Sequence, residues 1–112
     1  MKLIKDKINL KDLTEIANER FGDMIKAVVD IDLEIMVIGG DLHADEEAML
    51  LDAGSNQENL WGINIYVEKP ITERIEFDSV INIRPRQNNR SRDVVDLIIR
   101  KKIIEIVNKL IE

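Results

Sequence analysis

Two β-branched runs separated by three residues constrain this chain more than any other feature. Ile25-Lys26-Ala27-Val28-Val29-Asp30-Ile31 and Ile35-Met36-Val37-Ile38 flank Asp32-Leu33-Glu34. Branching at Cβ restricts the side chain and suits a pleated surface better than a helix. The intervening residues are short enough for a hairpin connection. Gly39-Gly40-Asp41 then breaks the second run.

The remaining elements are read around this hairpin. Leu3-Ile4 starts a short strand. Asn9 is a good N-cap, Asp12 stands where a capping-box acid would, and Ile8 and Leu13 hold the positions of a hydrophobic staple. Leu10, Leu13, Ile16, Ala17 and Phe21 form one apolar stripe, and Gly22 suits the left-handed position after a helix. A short helix is expected from Ala44 to Ala53, with Asp45, Glu46 and Glu47 in its first turn and Gly54 at its end. In Trp61-Gly62-Ile63-Asn64-Ile65-Tyr66-Val67 the odd-numbered residues share an apolar face. A further strand is expected from Ile75 to Arg84, with Ile75, Phe77, Ile81 and Ile83 on one face and Asp78, Asn82 and Arg84 on the other. The C-terminal helix is expected from about Val94 to the end. Val95, Ile99, Ile103, Ile106 and Leu110 make its stripe, and Leu97, Ile98, Ile104, Val107 and Ile111 widen it. So broad an apolar face packs deeply or is shared with a partner.

The order is β-α-β-β-α-β-β-α, which predicts a single α+β domain over residues 1–112 with a mostly antiparallel sheet of about five strands and helices packed on it. With no cysteine in the chain, disulfides, thiolate zinc sites and cysteine nucleophiles are excluded. No apolar run reaches the roughly 18 residues needed to span a bilayer. Charge follows too soon after Met1 for a signal peptide, so a cytoplasmic location is expected. A formal charge of -6 argues against nucleic-acid or membrane binding by the whole surface.

One local exception stands out. Arg84-Pro85-Arg86-Gln87-Asn88-Asn89-Arg90-Ser91-Arg92 holds four arginines and no acid. Guanidinium forks grip phosphate or carboxylate bidentately, and asparagine amides add neutral donors. Arg84, Arg86 and Arg90, with Asn82 and Asn88, are the candidate anion-binding set. Against this, Arg92 and Asp96 are spaced to pair, Arg84 has Asp78 and cross-strand acids in reach, and Asp93 and Asp96 occupy the start of the last helix. Internal ion pairing is thus the competing account of the loop.

The only histidine lies in an acidic segment. Asp41, His43 and Asp45 alternate and form a candidate divalent-metal set, which would suit metal-assisted hydrolysis. No second histidine supports it, and acids in a first helical turn are what the helix dipole favours unaided. Trp61 alternates with Ile63 and Ile65, a core pattern. No glycine-rich phosphate loop is present, and no cofactor is expected. Ser79 and Ser91 have no histidine near them in sequence.

Three segments together carry a resemblance: His43-Ala44-Asp45-Glu46-Glu47, Leu60-Trp61-Gly62-Ile63-Asn64, and Phe77-Asp78-Ser79-Val80-Ile81-Asn82-Ile83-Arg84-Pro85 continuing into Asn89-Arg90-Ser91-Arg92. Nearly the whole chain resembles a family of small uncharacterised prokaryotic proteins known only as a domain of unknown function. The resemblance implies a self-contained intracellular domain and brings no activity, ligand or catalytic residue. Three readings follow from the residues themselves: a binding domain for an anionic ligand, a homodimerisation or protein-interaction domain using the C-terminal helix, and a metal-dependent hydrolase.

Overall fold

The computed structural model describes residues 1–112. In chain order its regular elements are β1 (Lys2–Ile4), α1 (Leu10–Arg20), β2 (Met24–Asp30), β3 (Ile35–Ile38), α2 (His43–Asp52), β4 (Leu60–Tyr66), β5 (Ile75–Glu76) and α3 (Leu97–Leu110). The β2–β3 hairpin forms as its sequence predicts, with Asp30 opposite Ile35. The Asp30 carboxylate fixes the turn by accepting from the Asp32 and Leu33 amides, both at 2.9 Å, and from the Ser55 hydroxyl at 2.6 Å. The sheet runs β1-β3-β2-β4-β5, and every neighbouring pair is antiparallel. The α+β class and the three-helix, five-strand count therefore hold.

Alternation along the strands divides the core in two. Ile25, Ala27, Val29, Met36, Ile38, Trp61, Ile63 and Ile65 face α1 and α3, where Leu13, Ala17, Ile103, Ile106, Val107 and Leu110 complete the larger cluster. Val28, Val37 and Leu60 face the other way, against Leu50 of α2. Asn9 caps α1 by accepting from the Asp12 amide at 2.8 Å. Gly22 takes a φ of +88° and donates to the Ala17 carbonyl, which closes that helix as its position predicts.

The expected strand from Ile75 to Arg84 is not formed, and this is the main correction to the sequence reading. β5 ends at Glu76, and Val80–Asn82 and Pro85–Gln87 are 3₁₀ turns. Ser79 caps the first of these turns by accepting from the Ile81 amide. Asp78, Asn82 and Arg84 consequently do not share a sheet face. In place of a strand, the Asn82 side chain pairs with β4. Its Oδ1 accepts from the Gly62 amide at 2.8 Å and its Nδ2 donates to the Gly62 carbonyl at 2.9 Å. The close approach requires glycine: a Cβ on Gly62 would lie 2.6 Å from Ser79 Cβ.

The C-terminal helix starts later than expected. Asp96 is its cap, accepting from the Ile98 and Ile99 amides. Its wide apolar face splits: Ile103, Ile106, Val107 and Leu110 are buried, whereas Leu97 and Ile98 remain 75% and 79% exposed. No helix is long and apolar enough to cross a membrane.

Candidate functional site

The arginine loop is a tight hairpin. Arg84 and Asn89 exchange backbone hydrogen bonds at 2.7 and 3.2 Å, and Asn88 takes a left-handed φ of 59° at the end of the 3₁₀ turn. Asn89 is the buried hub. Its Nδ2 donates to the carbonyls of Asn82, Ser91 and Asp93, and its Oδ1 accepts from the Val95 amide at 2.9 Å. One amide side chain thus links the loop to the segment leading into α3. It was not among the candidate residues, because nothing local distinguishes Asn89 from Asn88.

The arginines divide into two kinds. Arg92 pairs with Asp78 at 2.6 Å rather than with Asp96, whose carboxylate is engaged in the helix cap. Arg100 stands 3.8 Å from Asp93. Arg84, Arg86 and Arg90 have no carboxylate partner. Arg84 donates through Nη1 and Nη2 to the Gln57 and Leu60 carbonyls, and its guanidinium stacks 4.1 Å from the centre of the Trp61 ring. Carbonyl oxygens satisfy its donors without cancelling its charge. Its Nε is buried without a partner, and burial pushes the group below its ordinary pKa.

A cleft of about 460 Å³ opens beside this loop, lined by Gln57, Glu58, Ile83, Arg84, Pro85, Arg86 and Gln87. Gln87 ties its far wall by donating to the Glu58 carbonyl at 2.9 Å. Two of the expected anion-binding arginines, Arg84 and Arg86, are therefore brought together. Arg90 and Asn88 are exposed on the same hairpin but do not line the cleft. Asn82 is buried: both amide hydrogens are held, one by Gly62 and one by the Arg92 carbonyl. It builds the wall on which the arginine loop stands.

The acidic segment comes apart as a metal set. Asp41 turns outward to Arg20, Asp45 is exposed, and His43 is buried with its Nε2 2.7 Å from the Ile63 carbonyl. No group of three or more His, Asp or Glu side chains is placed to hold a metal ion. His43 instead lines a second cleft of about 230 Å³ with Lys26, Ser79 and Arg92. One turn into the same helix, Glu46 is fully buried. Its Oε2 accepts from the Gly40 amide at 2.9 Å, its Oε1 has no partner, and burial pushes its pKa up to about 8. Sequence reasoning placed Glu46 in the first turn as an acid that the helix dipole favours and kept Ser79 apart from His43. Only the folding of α2 against β4 and the 79–82 turn joins them.

Set beside known proteins, the chain belongs to the family described as protein of unknown function DUF5674, whose model matches residues 2–110. No curated protein and no solved structure matches it.

Proposed function

We propose that this DUF5674 member is a small cytoplasmic binding domain that holds a phosphate- or carboxylate-bearing ligand on its arginine loop. The observation that carries the reading is that Arg84 and Arg86 border the largest cleft and neither has a carboxylate partner. The two arginines act differently. Arg86 has its whole fork available and grips the anion directly. Arg84 is engaged with carbonyls and contributes its charge, partly offset by the Glu47 carboxylate, across a short distance through a partly buried medium, where fields are stronger than in water. Arg90 and Asn88, at the exposed end of the hairpin, reach the outer part of a larger ligand. Glu58 on the opposite wall favours a ligand that also offers a hydrogen-bond donor or cation.

The test is thermal stability in the presence of inorganic phosphate, sulfate and citrate at low and high sodium chloride. An anion-specific rise in melting temperature that fades with salt supports the reading, since exposed charges are screened over about 8–10 Å. No rise with any of the three anions would sink it.

A second reading is favoured by one specific observation. Val95, Leu97 and Ile98 at the start of α3 are 57%, 75% and 79% exposed. Large aliphatic groups grouped at one helix end suit a homodimer contact. Molecular mass in solution across a concentration series tests it, with a monomer at every concentration counting against it.

A further inference from the structure

The cleft at the start of α2 combines features that the arginine-loop cleft lacks. Its walls come from β2 through Lys26, from α2 through His43 and Ala44, from the 79–81 turn, and from Arg92. These segments are fixed to one another: the Ser79 amide donates to the Arg92 carbonyl at 3.0 Å, and Asn82 Nδ2 donates to the same carbonyl. The first turn of α2 opens onto this cleft without a cap, because Leu42 precedes it and offers no side-chain acceptor. The amides of His43 and Ala44 accordingly have no acceptor within the chain.

Two almost fully buried side chains bring unused hydrogen-bonding capacity to the cleft beside the helix end. His43 is 8% exposed and Ser79 is 1% exposed. A carbonyl only accepts, so His43 Nε2 carries the hydrogen that meets Ile63, and Nδ1 is the ring nitrogen left without a partner. The Ser79 oxygen accepts from Ile81, but no acceptor within the chain takes its hydroxyl hydrogen. The free Nδ1 of His43, open to solvent, and the Ser79 hydroxyl hydrogen border the same cleft as Lys26 and the Asp78-paired Arg92.

We infer that this cleft is a phosphate site, for the free ion or the head of a phosphate monoester. Lys26 and Arg92 supply charge, the His43 and Ala44 amides and the Ser79 hydroxyl supply hydrogen bonds, and His43 Nδ1 shares a proton with one phosphate oxygen. Donors arriving from four separate segments match a tetrahedral oxyanion better than a planar carboxylate. A phosphate monoester has a second pKa near 6, so near neutral pH it can offer a proton to neutral imidazole as well as accept one, whereas a carboxylate, with a pKa near 4, only accepts. Asp78 opposes the anion weakly: it pairs with Arg92 and holds that side chain beside the cleft.

The electrostatics supply the readout. Burial is the main cause that lowers the His43 pKa, and Lys26 and Arg92 add to it, while the bond to Ile63 and the Asp78 charge work the other way. An anion seated between the two cations and the ring reverses the balance and raises that pKa. His43 is the only histidine in the chain, so its ring proton signals can be followed by NMR without ambiguity. The full chain is titrated with pH in sodium chloride, then at equal ionic strength in inorganic phosphate and in glycerol phosphate. Phosphate is expected to raise the His43 pKa by about one unit, a tenfold gain in proton affinity. Response to inorganic phosphate alone identifies a closed site for the free ion, and response to both identifies a headgroup site. Arg86→Ala keeps the shift, which separates this site from the arginine loop. Arg92→Gln, at an exposed side chain that leaves the fold intact, and Lys26→Gln each reduce it. An unshifted His43 in both phosphates, or a shift that survives Arg92→Gln and Lys26→Gln unchanged, would overturn the inference.

Discussion

The two clefts lie on either side of one segment, residues 79–84, and handle positive charge in opposite ways. At the arginine loop the charge is dense, but Arg84 has its hydrogen bonds engaged with backbone carbonyls and its face covered by Trp61. At the start of α2 the charge is sparse, yet the helix amides, a histidine nitrogen and a serine hydroxyl are all unanswered. Charge count and binding capacity are therefore separate properties. A cluster of cations sets a field, while unengaged donors and acceptors with a fixed geometry set recognition.

The largest expected effect comes from removing what both clefts share. Asn89→Ala leaves three backbone carbonyls and the Val95 amide, buried or partly buried, without this partner, and a loss of about 3 kcal/mol is expected. Chemical denaturation checks it, and a change below about 1 kcal/mol would show that the hairpin holds itself. Both clefts should lose anion response together in this variant.

A pH effect separates the clefts next. The Glu46 carboxyl has a folded pKa of about 8, above its ordinary value of 4.5. The proton is bound more tightly in the folded chain, so this contribution to stability is full below about pH 4.5 and is lost as pH rises to 8. The expected slope between these limits is about 1.4 kcal/mol per pH unit. Glu46→Gln should flatten that slope and raise stability at pH 8 by about 2 kcal/mol, as followed by denaturation at several pH values. Because Glu46 lies one turn behind His43 and its charge acts on Lys26, ionisation above pH 8 should weaken the α2 cleft and spare the arginine loop.

Arg86→Ala sharpens the comparison from the other side. Anion affinity at the arginine loop should fall about tenfold or more, the loss of one charge-assisted contact. Stability should move by less than about 0.5 kcal/mol, because the side chain is exposed and unpaired. Calorimetric titration and a melting curve give the two numbers. The smallest effect is expected from Ile98→Asp at a position 79% exposed. The melting temperature of the dilute chain should barely change, and any concentration-dependent mass should disappear.

The sequence made the frame legible where periodicity and local chemistry agree. The β2–β3 hairpin, the Asn9 cap, the Gly22 stop and the burial of Trp61, Ile63 and Ile103 follow from neighbours within a few residues. The strand expected from Ile75 to Arg84 failed for a non-local reason. Its alternation is real, but the ladder is replaced by one amide reaching Gly62, twenty residues away. Of the candidate anion set, Arg84 and Arg86 meet at a cleft because they flank one turn. The burial of Asn82 was hidden by the same failed strand. The meeting of Lys26, His43, Ser79 and Arg92 left no trace in spacing, since four separate segments contribute one residue each.

The amide of Asn82 has a consequence for how molecules of this chain meet. Beyond Glu76 the outer edge of β4 would present free N–H and C=O groups, a template onto which a strand of another copy can add. Asn82 occupies one such pair as a side-chain plug, and β5 and β1 are only two and three residues long. The sheet is thus closed to lateral growth without a barrel or a covering helix. Loss of that amide, with Arg84 alone still on the neighbouring Leu60 carbonyl, would bare the Gly62 pair and favour edge-on self-assembly, a hazard of crowding and time rather than of ligand or charge.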